Sequence, residues 1–201
     1  SFPAARSTPT VDGDVLYALG SDGDLTCVDT DTGKVRWRKS LRSHFGGKPG
    51  TWAYSESPLV DGDILVCTPG GAEATMVALN KRTGEVIWKS AIPGGDEAAY
   101  ASAIVLETAG VGQYVQLLQG GVVGVEAKTG KFLWRYDKAV SRYRANIPTP
   151  LARDNLIYCA SAGTGGGVIR LKANGGAIEA EEVCFSPKLP TAIGGSVLVG
   201  D

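Results

Sequence analysis

The chain has 201 residues, 43% of them hydrophobic and 20% charged, with a formal net charge of −1. That balance fits an ordered globular protein and excludes both a disordered tail and a globally basic nucleic-acid binder. No apolar run approaches the roughly 18 to 20 residues of a membrane-spanning helix, and residues 1–6 are short and polar where a secretion signal would be apolar, so either a signal has been removed or the sequence starts inside a longer protein.

The first elements are a hairpin. Val11 and Val15-Leu16-Tyr17 flank Asp12-Gly13, a pair that tolerates positive φ in a tight turn. An apolar run then leads to Asp29-Thr30-Asp31-Thr32-Gly33, a longer turn. Its aspartate can accept backbone hydrogen bonds, and Gly33 can take the left-handed conformation. The chain returns as a strand ending at Trp37. His44, the sole histidine, is placed in a surface loop without a nucleophile elbow nearby.

The stretch from Phe45 to Pro58 lies outside this pattern. Trp52, Tyr54 and Glu56 alternate along it, so in an extended segment they would share one face, two aromatics with a carboxylate. Comparable connecting stretches carry Tyr100, and later Arg142, Arg144 and Asn146. These seven residues form the candidate face for a ligand or partner. The alternative is that they pack the loops and satisfy backbone groups.

The first pattern then recurs. Leu59-Val60-Asp61-Gly62-Asp63-Ile64-Leu65 repeats the hairpin, and Asn80, Thr83, Gly84 and Trp88 repeat the turn and strand. A third copy has Glu126, Thr129, Gly130 and Trp134, so the three tryptophans stand 51 and 46 residues apart. A fourth hairpin opens at Leu151 and leads to an eroded copy, with Gly175-Gly176 at the turn and Ala180 where tryptophan is expected. Between its strands, Gly163-Thr164-Gly165-Gly166-Gly167 is glycine-rich but lacks the Gly-Lys-Ser/Thr ending of a phosphate loop, so it is read as a hairpin tip. Residues 189–199 resemble the opening of a fifth copy that stops in a strand.

Each unit of about 45 residues thus reads as four short strands, a sheet that needs neighbours on both faces. Radial stacking of such sheets is a β-propeller. The expected fold is all-β, with antiparallel blades at about residues 7–50, 51–98, 99–145 and 146–186 and a partial blade over 187–201. The 28 glycines suit many tight turns. Cys27, Cys67, Cys159 and Cys184 have no zinc-ligand spacing. Three are expected as small apolar strand residues, and their pairing is not readable from sequence.

The repeated turn-and-tryptophan unit resembles the tryptophan-docking motif of the quinoprotein, or pyrroloquinoline-quinone-like, repeat family. The likeness covers nearly the whole chain, in a style similar to the outer-membrane-protein assembly propeller and related bacterial repeat proteins. It implies that Trp37, Trp88 and Trp134, with Gly33, Gly84 and Gly130, are structural docking elements between blades. Cys27 and Gly124 stand where the family has alanine, and Glu126 where it has aspartate. Family members close with about eight blades, so the resemblance implies a fragment or a half completed by a second chain.

The function implied is a non-enzymatic binding or scaffold propeller in the bacterial periplasm or at the cell surface. It would dock a protein partner or a second propeller half, with homo-oligomerisation through unpaired faces. No catalytic residue, metal or cofactor is expected in that reading. The resemblance leaves two alternatives: a fragment of a quinone-dependent alcohol or sugar dehydrogenase, bringing pyrroloquinoline quinone and calcium, or a ligand-sensing domain of a larger protein. The adjacent-cysteine pair common in such dehydrogenases is missing from the sequence.

Overall fold

A computed structural model describes residues 6–188 and 194–200. The chain divides into two compact units, Ser1–Ala99 and Tyr100–Asp201. In each, two four-stranded antiparallel sheets follow chain order from first strand to last, so the fold is that of β-propeller blades.

In the first unit, blade 1 comprises β1 (Thr10–Asp12), β2 (Val15–Leu19), β3 (Asp24–Asp29) and β4 (Val35–Ser40). Blade 2 comprises β5 (Leu59–Asp61), β6 (Ile64–Cys67), β7 (Met76–Asn80) and β8 (Val86–Ser90). Asp12 pairs with Val15, so the hairpin turns on Gly13 and Asp14, one residue later than the sequence suggests. The longer turn closes as expected. Asp29 Oδ1 accepts the Thr32 N–H at 2.9 Å, and Gly33, at φ +69°, donates its N–H to Asp29 O. Asn80 and Gly84 repeat this in blade 2.

The core of the first unit draws Tyr17, Leu25 and Cys27 from blade 1 and Leu65, Cys67 and Leu79 from blade 2. Between the blades the chain forms a one-turn helix, α1 (Leu41–Phe45), capped by the Ser40 hydroxyl at its start and by Gly46 in the left-handed region at its end. His44 therefore sits in a helix and not in a loop. Its Nδ1 lies 3.1 Å from the Ser40 N–H, folding the ring back on the helix start. The following segment bridges to the end of the unit through Pro49 and Ala98. This packing needs a glycine at Gly70: a Cβ there would lie 2.2 Å from Ala98 N and 2.6 Å from Lys48 O.

In the second unit, blade 3 comprises β9 (Ile104–Thr108), β10 (Val111–Leu117), β11 (Val122–Glu126) and β12 (Phe132–Tyr136). Blade 4 comprises β13 (Leu151–Arg153), β14 (Leu156–Ser161), β15 (Gly165–Asn174) and β16 (Ala177–Ser186). Ala162, Gly163 and Thr164 form the β14–β15 tip, whereas Gly165, Gly166 and Gly167, expected in it, pair with Ser161, Ala160 and Cys159 as the start of β15. The core runs from Leu106, Val115 and Trp134 to Ile157, Ile169 and Leu171.

Blade 4 departs from the repeat. Its last turn is two residues long, Gly175 and Gly176, both at positive φ, and it joins two ten-residue strands. The β-bulge after Cys27, Ala78 and Gly124 in the other blades keeps its place after Val168, opposite Tyr158 as Cys27 is opposite Tyr17. With the short turn the ladder runs on without the Asx loop, so no turn platform forms.

The proposed fifth repeat falls partly outside the described residues, at 189–193 and 201. Its strand over Ser196–Val199 does not form. These residues have no ladder partner, and Val197 and Val199 stand 82% and 84% exposed. A strand needs neighbours to satisfy its backbone.

Candidate functional site

The docking motif is best seen between blades 1 and 2. Trp37 Nε1–H donates to Lys81 O at 3.0 Å, and the Tyr17 hydroxyl donates to the same carbonyl at 3.0 Å. The Trp37 ring lies on Gly84, where a Cβ would come within 2.9 Å of its Cδ2. Lys81 Nζ pairs with Asp12 at 2.6 Å, fastening the rim. Trp88 is buried opposite Ala78. Gly33 and Gly130 hold the left-handed turn positions, and among the described residues nothing lies within 4 Å of a Cβ built on Gly33.

Trp134 behaves differently. Its Nε1–H donates to Gln113 Oε1 of its own blade at 2.7 Å. The ring lies against Gly124, the residue opposite it in the ladder, where a Cβ would fall 2.2 Å from Nε1. A glycine in place of alanine made that room. Toward the other end of the strands, Glu182 of β16 ties the two blades, accepting from the Tyr136 hydroxyl at 2.7 Å and pairing with Lys138 at 2.8 Å. Lys138 Nζ also stands 4.7 Å from the centre of the Phe185 ring.

The candidate face is not a single extended surface. Ala53 takes φ +70°, which breaks the alternation between Trp52 and Tyr54. Trp52 is half-buried, whereas Tyr54 and Glu56 are 1% and 3% exposed. The Tyr54 hydroxyl donates to Pro69 O at 2.8 Å, and Gly23 makes room for its ring. Burial, with a smaller contribution from the Glu56 charge, pushes the Tyr54 phenol well up. Glu56 Oε1 accepts the Thr68 N–H.

In the second unit Tyr100 is buried, and its N–H donates to Asn146 O at 3.0 Å. Asn146 is fully buried with its amide saturated. Nδ2 donates to Leu118 O and Gln119 O, and Oδ1 accepts from the Ser141 N–H and the Ser161 hydroxyl. Arg142 and Arg144 are exposed, the latter at φ +58°. Tyr54, Glu56, Tyr100 and Asn146 thus hold connecting loops to strand ends, while Trp52, Arg142 and Arg144 reach solvent.

The cysteines are free thiols. Cys27, Cys67 and Cys159 are buried strand residues, and burial pushes the Cys159 thiol up to about 12. Cys184 is exposed on β16. Among the described residues no group of three His, Cys, Asp or Glu side chains is placed to hold a metal. Among the described residues no helix is long and apolar enough to cross a membrane.

The four-stranded blades, with Trp37 of blade 1 seated against blade 2, define a β-propeller of the pyrroloquinoline-quinone-like repeat class. Within that class, the family model described as outer membrane protein assembly factor BamB matches residues 3–201, and the chain belongs to that family. BamB of Burkholderia pseudomallei is 25% identical over 173 residues, covering 84% of this chain and 40% of that protein. The quinoprotein alcohol dehydrogenase PedH of Pseudomonas putida is 27% identical over 136 residues, covering 64% of this chain and 22% of that protein. The crystal structure of BamB from Moraxella catarrhalis superposes with a TM-score of 0.56 at 18% identity, over 81% of this chain and 45% of that one, a likeness of fold. The chain spans well under half the length of the curated relatives it matches.

Proposed function

We propose that this chain is a protein-binding segment of a bacterial cell-envelope propeller, periplasmic or cell-surface, with no catalytic chemistry of its own. The observation that carries this reading is the match of the BamB family model along residues 3–201. The blades supply a physical means. Among the described residues each ends in an outer strand paired on one side only, and β16 is ten residues long with Val183 46% exposed. Such an edge can take an added strand from a partner through main-chain hydrogen bonds.

A photo-reactive amino acid at Val183, in the parent protein in its own cells, tests this. The expected result is a discrete adduct with an envelope protein. Diffuse labelling, or none, would overturn the reading.

The similarity to PedH favours a second reading, a fragment of a quinone-dependent dehydrogenase. The oxygens in the connecting segments do not fit calcium and a quinone well, because Glu56 Oε1 and Asn146 Oδ1 already accept from protein donors. Titration with pyrroloquinoline quinone and calcium, followed by tryptophan quenching, separates the two. Saturable, calcium-dependent quenching would establish the second reading and sink the first.

A further inference from the structure

Blades 1 and 4 present faces that match each other. Strand register defines them. One face of blade 1 carries the row Tyr17, Cys27 and Trp37, and beside it the row Asp12, Val15 and Asp29. This face meets the 80–84 turn of blade 2. Lys81 O takes the Tyr17 and Trp37 donors, and Lys81 Nζ pairs with Asp12. The same ladder positions in blade 4 are Tyr158, Val168 and Cys184, and beside them Arg153, Leu156 and Arg170.

In blade 1 this face is covered, with Val15, Tyr17 and Cys27 all buried. In blade 4 Leu156, Tyr158 and Val168 are half-buried, around an apolar slot of about 420 Å³. Ser196, Val197 and Leu198 line one side of the slot. Val197 is 82% exposed, so this stretch screens the slot without filling it. Among the described residues the Tyr158 hydroxyl has no hydrogen-bond partner, where that of Tyr17 has Lys81 O.

The receiving face is matched in the same way. In blade 2 it is the row Val60, Leu65, Leu79 and Val86, of which Leu65 and Leu79 are buried in one core with Tyr17 and Cys27. The same row in blade 1 is Val11, Leu16, Val28 and Val35, with Val11 64% and Val35 52% exposed. An apolar row open across four strands marks a contact surface. The turn beside it keeps its platform. Thr30 donates its N–H to Asp14 O as Lys81 does to Asp63 O, and among the described residues nothing lies within 4 Å of a Cβ built on Gly33.

Charge is inverted on both sides. Blade 1 brings Asp12 and Asp29 to a turn that carries Lys81 and Arg82. Blade 4 has Arg153 and Arg170 at those two positions, and the matching turn residues of blade 1 are Thr30 and Asp31. Complementary charge of this kind selects one pairing of faces over another.

We propose that these faces join between two copies of this chain, blade 4 of one seating on blade 1 of the other. The Tyr158 hydroxyl would donate to Thr30 O, and Arg153 and Arg170 would face Asp31. The row from Val11 to Val35 would close the slot as the 196–198 stretch moves aside. Such a contact is heterologous, and two copies of four blades fall within the range at which propellers close, so association ends at a dimer.

Sedimentation equilibrium of the whole chain at about 1 to 100 µM tests this, and the mass of a dimer is expected at the upper end. Arg153→Asp should weaken association about tenfold or more. Thr30→Lys, on an exposed turn that folding does not depend on, should weaken it likewise, because it sets a second cation before Arg153. The two changes together rebuild the Asp12–Lys81 pairing across the joint and should return the dissociation constant to within about threefold of the unaltered chain. A monomer at every concentration, a dimer unmoved by either single change, or a double variant no tighter than the singles would each overturn the proposal. Sedimentation needs no envelope partner, whereas the Val183 adduct requires one, so either experiment can fail without the other.

Discussion

Trp37 of blade 1 and Gly84 of blade 2 form one joint. The indole lies on the glycine's bare Cα, and its N–H reaches Lys81 O, three residues earlier. Gly33 has nearly the same backbone, φ +69° against +73°, and among the described residues nothing lies within 4 Å of a Cβ built on it. Comparing the two separates backbone strain from docking. Gly33→Ala should cost about 1 kcal/mol, the left-handed penalty alone. Gly84→Ala should cost about 1 to 3 kcal/mol more, because the Trp37 ring must move. Urea denaturation of both variants measures the difference, and equal midpoints would mean that the ring does not rest on Gly84.

Asn146 was read from the sequence as part of a ligand face, yet its amide is saturated by four protein bonds. Asn146→Ala would strand the Ser141 N–H and the Leu118 carbonyl in the interior. A loss of about 3 kcal/mol or more is expected by urea denaturation. Tyr54→Phe, which removes one bond to Pro69 O, should lose only about 1 kcal/mol. A stable Asn146→Ala chain would return this residue to the list of ligand contacts.

These cases show what the sequence made legible. Asp29, Asn80, Gly33 and Gly84 announce their turns because the chemistry is local: a side-chain acceptor and a positive φ within five residues. The blade pattern follows from them. The candidate face was less legible, because alternation of Trp52, Tyr54 and Glu56 assumes an extended backbone, and Ala53 at φ +70° breaks it. An alanine carries no sign that it will do so. The altered joint at Trp134 was half-visible. Gly124 in place of alanine and Ala180 in place of tryptophan are departures visible in the sequence, but that the Trp134 indole turns to Gln113 depends on strand register, which becomes explicit only in three dimensions.

Thiol chemistry offers a check on burial. Cys184 is exposed on β16, whereas Cys27, Cys67 and Cys159 are buried and burial raises their thiols. Only the thiolate reacts. One thiol per chain should therefore react promptly with Ellman's reagent at neutral pH, and Cys184→Ser should remove that fast phase. The other three should appear only as the chain unfolds. Two or more fast thiols would show that a blade opens.

Arg36 gives the pH dependence a definite sign. Its guanidinium bonds Asp14 at 2.5 Å and Asp29 at 2.6 Å, joining three positions of blade 1 at the surface. Hydrogen bonds from Arg36, and then from Thr32, hold the Asp29 carboxyl well below the usual carboxylate range, and Arg36 lowers Asp14 in the same way. A carboxyl depressed on folding adds stability above its unfolded value of about 3.9, and that stability is lost as pH falls through the lower folded value. Wild type should therefore be more stable than Arg36→Met at pH 7, and the gap should shrink below about pH 4 as both aspartates take up protons. Added salt at pH 7 should narrow it too, since the pair faces solvent. Urea midpoints of both chains at pH 7 and pH 3 measure this. A gap that stays constant with pH would mean that Arg36 contributes through packing of its stem and not through its charge.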